Sequence, residues 1–202
     1  MPIGFWLLWT FNSDHGTLFA CRPIQPRTMR SILLTVALAV ATTISAQRTF
    51  PTIEGETVDG EKITLPKSDA KTFTIVGLAY SPKASDQLDE WLEPAYLRFV
   101  AKHGLFAGEY DADIYFMPVF AGTNKALYEP SMKKFKKTAS PEIVEHVLFA
   151  KSDLEMLRDE LDMPEKEVPH FFILDSDGKI VYRIKGPYTL EKLEEMEEVL
   201  LQ

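Results

Sequence analysis

The stretch VPHFFILDSDGKIV, residues 168–181, decides the fold of this chain of 202 residues. Its first half is an almost unbroken apolar run rich in β-formers, which is typical of a strand buried on both faces. The Asp-Ser-Asp-Gly sequence at 175–178 is a tight-turn signal. The run 179–184 then predicts a second strand that pairs back on the first, and a Gly-Pro pair at 186–187 ends it.

The rest of the chain alternates between strand and helix signals. Apolar β-prone runs predict buried strands at 72–80 and 113–121, and a short strand at 146–150. Helical spacing of apolar residues predicts helices between and after them, at 83–103, 125–137, 152–161 and from Thr189 to the end. The expected N-terminal signals of the later helices are the Ser140-Pro141 pair, a Ser152/Glu155 capping box and Thr189.

A hairpin precedes this alternation. Asp59-Gly60 separates the short β-prone runs 56–58 and 62–65, and Asp-Gly between such runs favours a hairpin turn. The order is therefore a hairpin followed by β-α-β-α-β-α-β-β-α. This order predicts an α/β fold in which a mixed central sheet is covered by helices on both faces.

The chain resembles the thioredoxin-like superfamily, in particular its exported thiol-disulfide oxidoreductase and peroxiredoxin-like branches. The segments that carry the resemblance are Phe50-Pro51 with the hairpin, the run 72–80 with Ser81-Pro82, and the stretch 168–181 with Gly186. They are similar to the opening of those branches, to the strand and loop before the active-site helix, and to the cis-proline strand with its hairpin. The resemblance implies a three-layer thioredoxin-like fold with an added N-terminal β-hairpin.

In that superfamily two cysteines, two residues apart, lie at the start of the first long helix, where the helix N-terminus lowers the thiol pKa. The corresponding residues here are Lys83, Ala84, Ser85 and Asp86, and none is a cysteine. The single cysteine of the chain is Cys21. Because a serine hydroxyl cannot replace a thiolate in disulfide exchange, we expect the shape of the superfamily without its redox chemistry and without catalytic residues.

The resemblance also implies a cis peptide bond between Val168 and Pro169. Such a bond exposes backbone that can pair with an extended peptide. His170, beside it, is either a titrating group near the redox position or simply a polar residue at a strand start. We therefore expect a binding groove between the cis-proline loop (Val168, Pro169 and His170) and the start of the first long helix.

The N-terminal part of the chain has the features of an export signal. Met29-Arg30 is followed by an uncharged run, 31–44, and then by small residues around Ala46. We expect Met29 to be the true start, cleavage near Ala46, a domain at 47–202 without a transmembrane segment, and a periplasmic or extracellular location. The alternative is a lipoprotein signal in which Cys21 is lipidated.

The charge distribution excludes one class of partner. Of the 30 acidic and 22 basic residues, only Asp14 and three arginines precede residue 47, so the domain is more acidic than the net charge of −8 of the whole chain. Non-specific nucleic-acid binding needs a basic face, and we expect none. The local basic run at 133–137 is either a solvated helix face or a docking point for an acidic partner or anionic lipid.

These observations leave three hypotheses. The first is an exported thioredoxin-like protein without redox cysteines that acts as a binding or assembly and chaperone-like module for a protein or peptide; the loop 81–85 also slightly resembles assembly factors of mitochondrial ATP synthase. The second is a non-thiol enzyme that uses Lys83, Asp86 or His170 as acid or base. The third is a structural domain that looks like a redox protein only by fold.

No cofactor or metal is expected in any of these hypotheses. The histidines at 103, 146 and 170 share no ligand spacing. The sequence at 175–178 is a turn rather than a calcium loop, because the later oxygen ligands of such a loop are missing. The oligomeric state stays open.

Overall fold

The structure is a computed structural model that describes residues 48–101 and 110–202. These residues belong to one compact unit, which runs from Ala46 to Gln202. The predictions about Met29, Cys21 and cleavage near Ala46 lie outside the described residues.

Seven strands and five α-helices are present in the described part of the chain. The strands are β1 (Ile53–Glu56), β2 (Lys62–Leu65), β3 (Phe73–Ala79), β4 (Ala112–Phe120), β5 (Ala150–Lys151), β6 (His170–Asp175) and β7 (Ile180–Lys185). The helices are α1 (Pro82–Phe99), α2 (Tyr128–Thr138), α3 (Pro141–Val144), α4 (Leu154–Leu161) and α5 (Leu190–Leu200), with a 3₁₀ helix at Gly122–Leu127 before α2.

The central sheet has five strands in the order β5-β4-β3-β6-β7. Strand β4 is parallel to β3 and β5 is parallel to β4, whereas β6 is antiparallel to β3 and β7 is antiparallel to β6. A sheet of this kind brings the carboxyl ends of β3, β4 and β5 to one edge. The predicted mixed sheet and its antiparallel end are confirmed.

Two apolar clusters cover the two faces of the sheet. One contains the buried residues of α1 and α5 and the side chain of Tyr128 from α2. The other contains Leu157 and Leu161 of α4 together with Ile53 and Leu65 of the hairpin. The structure thus has three layers, with helices on both faces, as the α/β prediction requires.

The hairpin is present but begins earlier than predicted. Strand β1 ends at Glu56, and the residues Thr57 and Val58, predicted to lie in a strand, form the turn with Gly60, whose φ is +86°. The backbone of Glu56 exchanges two hydrogen bonds with Phe149, both 2.9 Å long. The hairpin is therefore closed by its own turn and also attached to the chain before β5.

Helix α1 packs on the sheet at a glycine. A Cβ atom on Gly77 of β3 would lie 2.5 Å from Cε1 of Phe171 and 3.0 Å from Cδ1 of Leu88. The ring of Trp91, one turn further along α1, lies on Phe171 with a centroid distance of 4.5 Å. Its indole nitrogen donates a hydrogen bond to the Gly186 carbonyl at 3.1 Å. These contacts tie α1 to β3, β6 and the segment after β7.

Three local predictions are wrong for identifiable reasons. Helix α1 ends at Phe99 because the N–H groups of both Val100 and Ala101 donate to the Tyr96 carbonyl. Leu97, whose position follows the helical spacing of apolar residues, is 46% exposed. Helix α4 is capped by Asp153 rather than by Ser152, because the Asp153 carboxylate accepts hydrogen bonds from two N–H groups of the first turn.

The C-terminal predictions are confirmed. The Asp175 carboxylate accepts hydrogen bonds from the backbone N–H groups of Asp177 and Lys179, both at 2.9 Å, which closes the predicted turn. The Thr189 hydroxyl accepts a hydrogen bond from the Lys192 N–H and begins α5. Within the described residues, no helix has both the length and the apolar character needed to cross a bilayer.

Replacing Gly77 with alanine tests the contact between α1 and the sheet. The added methyl group has no room beside Phe171, so we expect the free energy of unfolding in urea to fall by about 1–3 kcal/mol. The matched change is Thr74→Val on the same strand. The Thr74 hydroxyl is buried without a hydrogen-bond partner among the described residues, so this change should be neutral or stabilising. Equal stability of G77A and the wild type would show that the helix is not held this closely.

Candidate functional site

Helix α1 begins at the pair Ser81-Pro82. The Ser81 backbone is extended, with φ −138° and ψ 159°, and its hydroxyl oxygen accepts a hydrogen bond from the Ala84 N–H at 3.1 Å. Serine is among the preferred N-cap residues, and proline suits the first helical position because it has no N–H to lose. The Ser-Pro sequence therefore fixes the helix start immediately after β3.

The residues predicted to occupy the redox position, Lys83 to Asp86, lie in the first turns of the helix. Ala84 is fully buried and Ser81 is half-buried, while Lys83 and Asp86 are exposed and Ser85 is half-buried. Only two residues separate the end of β3 from Pro82, the first residue of the helix.

An open groove lies at the carboxyl ends of the three parallel strands. Its volume is about 690 Å³. The lining consists of segments that follow β3, β4 and β5, part of α4, and the loop before β6: Tyr80–Pro82, Ala121–Lys125, Ser152–Glu155, Arg158, Lys166 and Glu167. We name it the strand-end groove. Open α/β sheets bind their ligands at this edge.

Six exposed charged side chains line the strand-end groove. Three are cationic and three are anionic: Lys125, Arg158, Lys166, Asp153, Glu155 and Glu167. The groove therefore offers hydrogen bonds and ion pairs of both signs along its length. Such a lining suits a polar extended chain better than a single small anion or cation.

A second, smaller cavity lies between α1 and α2 and has a volume of about 200 Å³. We name it the α1–α2 cavity. Its walls are mostly aromatic and aliphatic, and include Phe116, Phe120 and Phe149. Asp86 and Asp89 of α1 and Lys134 of α2 lie at its rim. Tyr80, Ser81, Pro82 and Asn124 line both the cavity and the strand-end groove.

His170 has a structural role at the start of β6. Its Nε2 lies 2.8 Å from the Glu165 carbonyl oxygen, and because a carbonyl only accepts, Nε2 carries the hydrogen. Its ring stacks on that of Tyr80, with a centroid distance of 6.2 Å. Burial keeps the pKa of His170 below its ordinary value, so the imidazole is neutral at pH 7. The histidine thus holds the loop before β6.

The expected cis bond at Val168–Pro169 is not found. Among the described residues, the cis peptide bond is the one between Leu65 and Pro66. Pro169 is buried, and its carbonyl accepts a hydrogen bond from the Gly186 N–H at 2.9 Å, which extends the pairing of β6 with β7. For an X–Pro bond the trans form is favoured by about 0.5–1 kcal/mol. The hydrogen bond between Gly186 and Pro169 forms while the Val168–Pro169 bond is trans.

The comparisons with known proteins give matches among solved structures. BsSco, of the Sco family of cytochrome c oxidase assembly proteins, is 8% identical over 77% of this chain and 95% of its own, with a TM-score of 0.50. An uncharacterised conserved protein from Geobacillus kaustophilus is 18% identical over 77% and 81%, with a TM-score of 0.50. StoA from Bacillus subtilis is 19% identical over 73% and 97%, with a TM-score of 0.48. No protein-family model and no curated protein matches the chain.

The two matches with a TM-score of 0.50 cover the mixed sheet and its helices over 77% of the chain. The chain has a thioredoxin-like fold. The start of its first long helix, from Ser81 to Asp86, contains no cysteine. The thioredoxin-like shape is present and the thiols are absent from residues 47–202.

The groups of the non-thiol enzyme hypothesis are not brought together. Asp86 lines the α1–α2 cavity, whereas His170 lines a separate cavity beside Arg183 and Lys185. Lys83 lines neither of them. Across residues 48–101 and 110–202 no cluster of three or more His, Cys, Asp or Glu side chains is placed to hold a metal ion.

The basic run at 133–137 lies on α2. Its four lysines are exposed, and Lys136 pairs with Asp59 of the hairpin turn at 2.9 Å. Phe135 faces inward and packs on Phe149, with a centroid distance of 5.8 Å. A solvated helix face with one ion pair accounts for this run.

The groove residues that follow β4 and β5 were not among the predicted site residues. Lys125, Asp153 and Arg158 enter the groove because the ends of neighbouring parallel strands meet at one edge of the sheet. The signal that could have found them is their position directly after predicted parallel strands. The lining of the groove contains neither Val168 nor Pro169, so the predicted cis-proline loop does not form its wall.

Two introduced cysteine pairs test which residues of the first turn can carry thiol chemistry. In a Cys21→Ala background, we expect S81C/A84C to form an intramolecular disulfide and to catalyse thiol–disulfide exchange, because the helix N-terminus lowers the pKa of the thiol introduced at position 81 from about 8.5. The matched pair K83C/D86C, at the positions predicted from the sequence, has the same spacing on the same helix. Its thiols lie further along the helix than position 81 and should alkylate about tenfold more slowly at mildly acidic pH. Faster alkylation of K83C/D86C would place the redox position at Lys83 to Asp86.

Proposed function

We propose that this protein is an exported, redox-inactive thioredoxin-like module that binds an extended segment of a partner protein in the strand-end groove. The observation that carries the proposal is an open groove at the start of α1, a helix start that contains no cysteine. A groove without thiols cannot serve exchange chemistry but can serve recognition. The proposed role is assembly or chaperone-like binding.

The lining of the groove supports an extended peptide as the occupant. Backbone polar groups at the ends of β3, β4 and β5 lie next to side chains of both charge signs. An extended segment satisfies such a surface by alternating its own backbone and side-chain groups along the groove. The acidic domain as a whole disfavours nucleic acid as the partner.

One neighbour gives a precedent on this fold. BsSco is described as a member of a family of cytochrome c oxidase assembly proteins. At 8% identity the likeness concerns the fold alone. It supports the proposal only in that a protein of this shape can take part in the assembly of another protein.

The enzyme hypothesis has no comparable support. It required Lys83, Asp86 and His170 to converge, and Asp86 and His170 line different cavities. Direct acid–base work needs groups within hydrogen-bond reach of one substrate. His170 already donates its Nε2 hydrogen to a backbone carbonyl, which removes that nitrogen as a base.

Site-specific photo-cross-linking in the native envelope tests the proposal. A photoreactive phenylalanine replaces Thr123, which is exposed and lines the groove. We expect it to yield a discrete adduct with one partner, because the groove holds a bound segment. The matched control is the same residue at Thr64, an exposed threonine on β2 outside the groove.

A charge variant provides the second arm of that experiment. Lys125→Glu/Arg158→Glu should reduce the Thr123 adduct about tenfold, since two cations of the groove are reversed. Lys62→Glu/Lys179→Glu changes the net charge equally away from the groove and should leave it unchanged. Equal adducts at positions 64 and 123, or no effect of the groove variant, would overturn the proposed function.

A further inference from the structure

The α1–α2 cavity is larger than ordinary packing leaves between helices. Protein interiors contain few voids larger than a water molecule, and an apolar cavity of about 150 Å³ binds benzene. The cavity here is about 200 Å³. It therefore has room for an apolar group between a benzene ring and an indole in size.

The walls of the cavity favour an aromatic guest. Phe120 stacks on Phe149 with a centroid distance of 6.2 Å, and Phe135 meets Phe149 edge-on at 5.8 Å. The remaining wall includes the buried side chains of Phe116 and Val147. Rings at these distances leave faces and edges to which a further ring can pack.

The rim of the cavity carries an excess of negative charge. Asp86 and Asp89 lie one turn apart on α1, and Lys134 of α2 is the cation that faces them at the rim. Desolvation, and then the neighbouring Asp86, raise the pKa of Asp89, while Lys134 lowers it. Two carboxylates that share one lysine gain from a second cation.

The cavity adjoins the strand-end groove. Tyr80, Ser81, Pro82 and Asn124 belong to both. A chain lying in the groove can therefore place one side chain in the cavity. In an extended chain the side chains of residues i and i+2 point to the same face, so a cation two residues from the guest ring also reaches this rim.

We propose that the α1–α2 cavity is the anchor pocket for a partner segment with an aromatic residue two positions away from a lysine or arginine. The aromatic ring fills the cavity and the cation pairs with Asp86 and Asp89. This inference rests on the proposed function, and it names the chemistry of the partner that the groove receives.

Fluorescence anisotropy with labelled peptides tests the proposal on the purified protein. The probe is a serine-rich nonapeptide with a central Phe-Ser-Lys sequence, and the reference probes carry Phe-Ser-Glu and Ala-Ser-Lys. We expect the first probe to bind about tenfold more tightly than either reference. Equal binding of Phe-Ser-Lys and Phe-Ser-Glu, or of Phe-Ser-Lys and Ala-Ser-Lys, would overturn the proposal.

Two pairs of variants locate the binding. Ser131→Trp fills the cavity from α2 and should weaken the Phe-Ser-Lys probe about thirtyfold. Lys133→Trp, an exposed neighbour that does not line the cavity, should leave it unchanged. Asp86→Asn/Asp89→Asn should cost about tenfold, whereas Glu90→Gln/Glu93→Gln, with the same spacing on the same helix, should cost nothing. Equal effects within either pair would contradict the anchor pocket.

A free arylalkylamine carries the same aromatic ring and cation as the proposed peptide side chains. 2-Phenylethylamine is therefore titrated as a competitor. Competition weaker than that of unlabelled peptide supports a peptide occupant, and tighter binding of the free amine overturns it. Cross-linking at Thr123 that persists in Ser131→Trp would leave the strand-end groove as a binding site while excluding its anchor, so the two proposals fail separately.

Discussion

The close contact between α1 and the sheet at Gly77 fixes the geometry on which the candidate site depends. A Cβ at this position would lie 2.5 Å from Phe171, and Leu88 of the helix occupies the space that the missing side chain leaves. Trp91 then holds the helix to β6 and to Gly186. Because α1 cannot slide along β3, its first turn stays at the mouth of the strand-end groove.

The fold thus keeps the helix in place although the chain has no thiol there. A thioredoxin-like redox site needs a helix N-terminus and thiols placed on it, and here the first requirement is met by the Ser81-Pro82 start while the second is not. What remains is a polar groove next to an aromatic cavity, with four lining residues in common. Both features are suited to holding a chain segment, and neither requires an electron or proton to be transferred.

The sequence was sufficient for those elements whose signals are local and strong. The strand at β6, the turn closed by Asp175 and the helix capped by Thr189 follow from apolar runs and capping chemistry within a few residues. The fold class followed from the alternation of strands and helices. The missing thiols could be read directly, because their absence is a property of composition.

The parts that could not be predicted depend on contacts between distant segments. The pairing of Glu56 with Phe149 attaches the hairpin to the chain before β5, and the hydrogen bond from Gly186 to Pro169 accompanies a trans proline where a cis one was expected. The α1–α2 cavity is formed by α1, β4 and α2 together. The periodicity of one segment does not predict a cavity between three elements. From the sequence alone, the aromatic residues of its walls are therefore indistinguishable from ordinary core residues.

The most direct test of a binding function at the strand-end groove is hydrogen–deuterium exchange of the protein alone and in the complex isolated from the native envelope. We expect protection on binding to concentrate in the groove segments 80–85, 121–125, 152–158 and 166–167. Helix α5 and the hairpin should exchange at the same rate in both states. Protection confined to α5 or to the hairpin, with the groove unchanged, would show that the strand-end groove is not the binding site.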